Sequence, residues 1–167
     1  MKQTSGFTIL ELLTVVAIVG ILSAIAIPNV ISWRNNASFR GGVNTLSTDL
    51  AVAKQTAIRL NLPVVTLFTA TGYIIFVDDG TGTTDTDGNG ILDGFGNGSR
   101  DGSETLVLQR EIPPGMNISS ITFSGNFTQF DGKGRCPSAN TGGIIFTDNS
   151  NNLGIVSINR LGRVSIS

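Results

Sequence analysis

The sequence predicts an α+β protein in which one long N-terminal helix packs on an antiparallel β-sheet head. Three observations support this class: an apolar run near the N-terminus, an apolar stripe at helical spacing after it, and short segments rich in Val, Ile, Thr and Phe from Val64 onward. Segments of that kind, separated by Gly, Asn, Asp and Pro, are typical of strands joined by turns. We expect six to eight strands, laid against the helix.

Composition limits the possible functions. The 167 residues include 40% hydrophobic and 14% charged side chains, with a formal charge of −1, one cysteine and no histidine. The missing histidine removes the commonest general base and zinc ligand, and the near-neutral charge gives no global attraction for nucleic acid. A membrane-anchored enzyme would need a rigid catalytic pair, but the acidic residues concentrate in a glycine-rich segment. We therefore expect no enzyme activity.

The N-terminal apolar run is long enough to cross a membrane. From Phe7 to Ile27 the only charged residue is Glu11. A helix of this length spans the roughly 30 Å hydrocarbon core of a bilayer. A carboxylate there costs roughly 2.5–3.5 kcal/mol on insertion scales, so Glu11 requires an explanation.

Three explanations of the run are open. An ordinary secretory signal would use Lys2 as its positive end and Ala24-x-Ala26 as a cleavage site, and a simple anchor would span the membrane uncut. Neither accounts for Glu11. Cleavage between Gly6 and Phe7 would instead create a free amine, and a buried carboxylate needs such a partner. We prefer this third explanation, in which Glu11 pairs with its own or a neighbour's amine.

The junction "GFTILELL" resembles the class III leader of type IV pilins and type II secretion pseudopilins. The resemblance implies that a prepilin peptidase cleaves after Gly6 and methylates the amine of Phe7. It also implies that Glu11 guides assembly with other pilins, on an inner-membrane platform, into a filament. The head would lie in the periplasm before assembly and in a pilus or pseudopilus afterwards.

The predicted domain organisation follows from these segments. Residues 1–6 form the leader, residues 7–28 the transmembrane and filament-core helix, and residues 29–167 the head. Within the head we expect an amphipathic helix over 29–61 and a β-rich part over 62–167.

The amphipathic helix carries its apolar residues at alternating spacings of four and three. We expect Pro28 to bend the helix without ending it, Gly41-Gly42 to interrupt it, and Asn61 to cap it. The stripe should pack on the protein's own sheet, and consists of Phe39, Val43, Leu46, Leu50, Ala53, Ala57 and Leu60.

The order of the later segments narrows the resemblance. "AVAKQTAIRLNLPVVT", a strand ending "IIFVDDG", and the terminal "VSINRLGRVSIS" follow one another as in the GspH/FimT family of minor pilins and pseudopilins, over nearly the whole chain. This resemblance implies a subunit near the filament tip that primes or modulates assembly. An alternative is a DNA-uptake or adhesion subunit of a pilus.

An acidic segment raises the question of calcium. "DTDGNGILD" matches the first nine positions of an EF-hand-type loop, but Gly96 stands at the twelfth position, where a bidentate Glu belongs. Asp101 or Glu104 would have to replace it. Both a weak Ca²⁺ site and a solvated loop remain open; the candidate ligands are Asp85, Asp87, Asn89 and Asp93. We expect no other cofactor.

A nucleic-acid contact is the last candidate site. Some FimT-like proteins contact DNA through a C-terminal Gly-Arg-x-Arg motif, but here Ser165 replaces the second arginine after Gly162-Arg163. Arg160 and Arg163, with Lys133 and Arg135, make a small phosphate footprint, and exposed arginines on a final strand explain the pattern equally well. Cys136 has no partner cysteine, so we expect a free loop thiol.

Overall fold

The computed structural model describes residues 8–80, 100, 104–137 and 140–167. Helix α1 spans Ile9–Leu60 and continues through Pro28, Gly41 and Gly42. The predicted interruption at the glycine pair is therefore wrong, because the packed helix tolerates the glycines at a cost of about 1 kcal/mol each relative to alanine. The chain forms two compact units, one ending at Ser38 and the other covering Phe39–Ser167.

Eight antiparallel strands lie in the described part of the second unit, in agreement with the predicted number. They form two four-stranded sheets instead of one, in the orders β3-β2-β1-β5 and β4-β6-β7-β8. The strands are β1 (Val64–Phe68), β2 (Gly72–Val77), β3 (Leu106–Glu111), β4 (Met116–Ile121), β5 (Phe127–Phe130), β6 (Gly142–Asp148), β7 (Leu153–Ile158) and β8 (Val164–Ile166).

The chain first changes sheet between β3 and β4. Pro113 and Pro114 stand at this point, and proline cannot donate a backbone hydrogen bond to continue a strand ladder. The Met116 amide donates to the Pro113 carbonyl oxygen at 3.2 Å, which closes the turn. This change of sheet divides the predicted single sheet in two.

The apolar stripe of α1 forms the centre of the core, as predicted. Six of its seven residues are buried and pack with side chains from both sheets: Phe39, Val43, Leu46, Leu50, Ala53 and Ala57. Leu60 is the exception, with 45% of its surface exposed. It is the last helical residue, and Asn61 then adopts φ 53°, the left-handed conformation of a helix cap, so the chain turns away from the core.

Gly42 allows α1 to approach the turn between β3 and β4. A Cβ atom at this position would lie 2.6 Å from Met116 Sδ and 3.2 Å from Pro113 Cγ, whereas one at Gly41 would meet nothing within 4 Å. The two adjacent glycines therefore have different structural roles. Only Gly42 is needed for packing.

Candidate functional site

Helix α1 begins with a cap that also involves Glu11. The Glu11 amide donates to Thr8 Oγ1 at 3.2 Å, one residue before the helix starts at Ile9. Thr8 therefore acts as the N-cap residue, and Glu11 lies in the first turn, where a carboxylate is favoured by the helix dipole. The spacing Thr-x-x-Glu is a recognised capping signal, from which this role of Thr8 could have been predicted. Gly6 and Phe7 lie outside the described residues.

The first part of α1 exposes its apolar side chains. Leu10 is 76% exposed and Ile25 is 71% exposed, and the large residues between them are also exposed. Judged by length and composition alone, α1 is the one helix among the described residues that could cross a membrane. So large an exposed apolar surface would be unfavourable in water, so we expect this segment to contact lipid or a partner protein.

Three turns of the head share one geometry. In each, a side-chain oxygen of the first residue accepts the amides of the third and fifth residues, at 2.8–3.0 Å. The fourth residue has positive φ in every case. The turns begin at Asp131, Asp148 and Asn159, and their fourth residues are Gly134, Asn151 and Gly162.

These hydrogen bonds stabilise the ionised forms of the two aspartates. Burial alone would raise the pKa of Asp131, but hydrogen bonds from Arg135 and from the Lys133 amide outweigh it and lower the pKa below its usual value. At Asp148 the desolvation effect is likewise outweighed by hydrogen bonds from Asn152 and Ser150, so its pKa is also lowered. Both carboxylates are therefore charged acceptors at neutral pH.

Two of the turns pack against each other. The Cys136 amide donates to the Arg160 carbonyl oxygen at 3.2 Å. Gly162 lies so close to Gly134 that a Cβ atom would collide with the Gly134 carbonyl oxygen. Lys54 of α1 donates to the Gly162 carbonyl oxygen at 2.9 Å and joins the second of these turns to the helix.

We call residues 131–135 and 159–163, together with Lys54, the basic turns. They carry five cationic side chains and one anionic side chain, a net charge of +4. Asp131 pairs with Arg135 through Nη2 at 2.9 Å. The two candidate arginines, Arg160 and Arg163, thus lie on one turn. That turn packs against the turn that carries Lys133 and Arg135.

Cys136 lies in a loop, and its side chain is part of the core. Its side chain is 2% exposed, and Sγ donates to the Asn140 carbonyl oxygen at 3.1 Å. Burial raises the pKa of this thiol, which keeps it protonated at neutral pH. The expectation of a free loop thiol is confirmed, since Cys136 lies between β5 and β6 and is a free cysteine.

The candidate calcium ligands, Asp85, Asp87, Asn89 and Asp93, lie outside the described residues. Within the described ranges, no group of three or more His, Cys, Asp or Glu side chains is placed to hold a metal ion. The Ca²⁺ site therefore stays a prediction.

Comparisons with known proteins agree with this architecture. Residues 42–162 match the family described as Type II transport protein GspH, and residues 1–27 match the prokaryotic N-terminal methylation motif. The structure is similar to the crystal structure of the type IV minor pilin FimU from Pseudomonas aeruginosa strain PAO1, with a TM-score of 0.56 and 11% identity. The similarity covers 79% of this chain and 90% of that one, and supports the pilin fold. Because the first family match covers most of the chain, this protein belongs to the GspH family of pilin-like proteins.

Proposed function

We propose that this chain is a minor pilin or pseudopilin subunit that is cleaved after Gly6, methylated at Phe7 and assembled through α1 into a type IV pilus or type II secretion pseudopilus. The match to the N-terminal methylation motif supports the processing step. The exposed apolar segment of α1 supports anchoring in the inner membrane before assembly, with the head in the periplasm. Pilins and pseudopilins are structural subunits, in line with the expectation of no enzyme activity.

The position of Glu11 carries the proposal. It is the only charged residue from Phe7 to Ile27, and it lies in the first turn of the exposed helix. The amine created by cleavage before Phe7 is the cation nearest in sequence that could neutralise it in lipid. Pairing of Glu11 with the amine of a neighbouring subunit would compensate the cost of burial and set the register between two helices.

The experiment compares the wild type and two variants for membrane insertion and filament incorporation. Glu11→Ala should insert as well as the wild type, because the desolvation cost disappears, but should enter filaments poorly. Thr8→Ala is the matched control, since it removes the N-cap and keeps the carboxylate, and should assemble nearly normally. Normal assembly of Glu11→Ala, or equal loss in Thr8→Ala, would show that the charge does not guide docking.

A place near the filament tip, with a priming or modulating role, completes the proposal. Similarity to a minor pilin supports this role over that of a bulk shaft subunit. Immunogold labelling of the head should mark filament ends, and deletion of the subunit should reduce the number of filaments. Uniform labelling along the shaft would contradict the assignment.

The basic turns favour a second candidate function, binding of DNA during uptake. Cations that contact phosphates release counterions, so affinity should fall steeply as salt rises. Arg160→Ala and Arg163→Ala should each weaken duplex binding and reduce the salt slope by about one unit. Arg40→Ala lies outside the basic turns and is the matched control. Equal binding by all three variants would remove this candidate.

A further inference from the structure

The last strand, β8, forms one edge of its sheet, and among the described residues no strand pairs with its outer side. Ile155 and Ser167 exchange two backbone hydrogen bonds, both at 2.9 Å. Hydrogen-bonded pairs alternate along an antiparallel ladder, so Ser165 also bonds to β7, while Val164 and Ile166 form non-hydrogen-bonded pairs with it. The amide and carbonyl groups of Val164 and Ile166 therefore point away from β7.

This edge is complementary to itself. We propose that β8 of one copy pairs antiparallel with β8 of a second copy, with Val164 opposite Ile166 and Ser165 opposite Ser165. In that register the outward groups of Val164 and Ile166 form two pairs, and each pair makes two N–H···O=C bonds. The contact is isologous, so it closes as a dimer and does not extend into a filament.

An apolar groove lies beside the same edge. It has a volume of about 230 Å³ and lies between the α1 residues Phe39 to Asn44, the start of β7, and the end of β8. Val164 and Ile166 lie on the core-facing side of the sheet, since they pair with Ile158 and Val156. The partner strand would present its own Val164 and Ile166 on this side and fill the groove. Ile166, now 45% exposed, would then be covered.

The other sheet edges carry features that discourage pairing. Strand β3 has charged residues at its end, Arg110 and Glu111, and β4 has a register irregularity between Ile118 and Ser120. Strand β5 is largely buried, and its Thr128 hydroxyl donates to the Asn140 carbonyl oxygen. Charges, bulges and covering segments are recognised ways of protecting an edge. Strand β8 has no charged residue, proline or bulge.

Charge and area together indicate where this dimer forms. The register places Arg163 opposite Ser167, so the two copies' arginines do not oppose each other. Three residues a side bury far less than the roughly 800 Å² per partner of a stable interface. A shared membrane raises the effective concentration of the heads and compensates for the small area. The dimer therefore rests on the proposed anchoring through α1.

Cysteine cross-linking in membranes tests the register. In full-length chain, Ser165→Cys should give a disulfide dimer with copper phenanthroline, because opposite residues of a non-hydrogen-bonded pair lie about 4.5 Å apart at Cα. Ser150→Cys, on an exposed turn, is the matched control and should stay monomeric. Equal cross-linking of both variants, or none at Ser165→Cys, would overturn the proposal.

Backbone substitutions separate edge pairing from chance collision. Added to Ser165→Cys, Ile166→Pro removes one outward amide from each copy and should lower the dimer yield about tenfold. Ile166→Val keeps the amide and should change it little. Val164→Pro should act like Ile166→Pro, and an unchanged yield in either proline variant would refute edge pairing. Mass spectrometry of the N-terminus and membrane fractionation test the proposed processing and anchoring separately from the dimer. A failure of the proposed function can therefore be told from a failure of edge pairing.

Discussion

The Tyr73 hydroxyl donates a hydrogen bond to Asp49 Oδ2 at 2.6 Å in the buried interface between α1 and β2. Arg110 of β3 donates to the same oxygen through Nε, also at 2.6 Å. Burial, followed by the hydrogen bond to Asp49, raises the pKa of Tyr73 far above its usual value. One helical carboxylate thus joins α1 to two strands, and its side chain is only 8% exposed.

Removing these groups should affect stability in a defined order. Asp49→Ala leaves the buried Tyr73 hydroxyl without its acceptor and should lower the free energy of unfolding by about 2 kcal/mol. Arg110→Ala should lower it by about 0.5 kcal/mol, because that side chain is half exposed and its ion pair is screened. Thr48→Ala, on the exposed face of α1, should not lower it, because alanine is the better helix former. Urea unfolding measures all three, and equal values for Asp49→Ala and Thr48→Ala would contradict the tether.

The adjacent glycines of α1 should respond oppositely to alanine. Gly41→Ala meets no neighbouring atom and should raise stability by about 0.5–1 kcal/mol through helix propensity. Gly42→Ala forces Met116 and Pro113 to move and should be less stable than Gly41→Ala by about 2 kcal/mol. Thermal unfolding of the two variants gives the comparison. A Gly42→Ala variant as stable as Gly41→Ala would mean that the turn between β3 and β4 adjusts freely.

The head should fold without the apolar segment. A fragment starting at about Asn29 keeps the whole compact unit from Phe39 onward and should be soluble, with a cooperative thermal transition. A fragment starting at Leu46 removes Phe39 and Val43 from the core and should lose that transition. Aggregation of every fragment would indicate that the stripe depends on partner subunits.

Calcium should stabilise the head if the acidic segment holds an ion. Binding to the folded state alone raises the melting temperature with the logarithm of calcium concentration above the dissociation constant. Because a glutamate is missing at the twelfth position, we expect a Kd of roughly 10⁻⁴–10⁻³ M and little effect of magnesium. Asp87→Ala should abolish the shift and leave the metal-free melting temperature unchanged. No shift and no titration heat with calcium would leave only a solvated loop.

Acid should weaken the two turns that begin at Asp131 and Asp148, whereas the turn at Asn159 has no carboxylate to protonate. The pKa values of Asp131 and Asp148 are lowered in the folded state. The contribution of these carboxylates to folding stability is therefore present above their unfolded pKa and is lost as pH falls through their folded pKa. The melting temperature should be flat from neutral pH to about 5 and should fall below about pH 4. Asp131→Asn cannot ionise, so it should start lower and lose less in acid. A parallel acid profile for this variant would exclude Asp131 as a contributor.

Much of this structure could be predicted from the sequence, because the apolar patterns have clear periods. The spacing of Phe39, Val43 and Leu46 identified the helix face of the core, and Asn61 was placed correctly as the cap. The change of sheet at Pro113 could not be predicted, since it depends on how strands distant in sequence pair. For the same reason the contact between the turns at Gly134 and Gly162 gave no local signal.

The three turns that begin at Asp131, Asp148 and Asn159 differ in how much variation their fourth position would tolerate during evolution. At residues 134 and 162 the positive φ and the lack of space for a Cβ atom both require glycine. Residue 151 needs only the positive φ, and Asn already satisfies it there. In related chains that keep these turns, the first two positions should hold glycine, whereas the third should alternate among Asn, Asp and Gly. A lineage that lost either glycine would be expected to remodel both basic turns together.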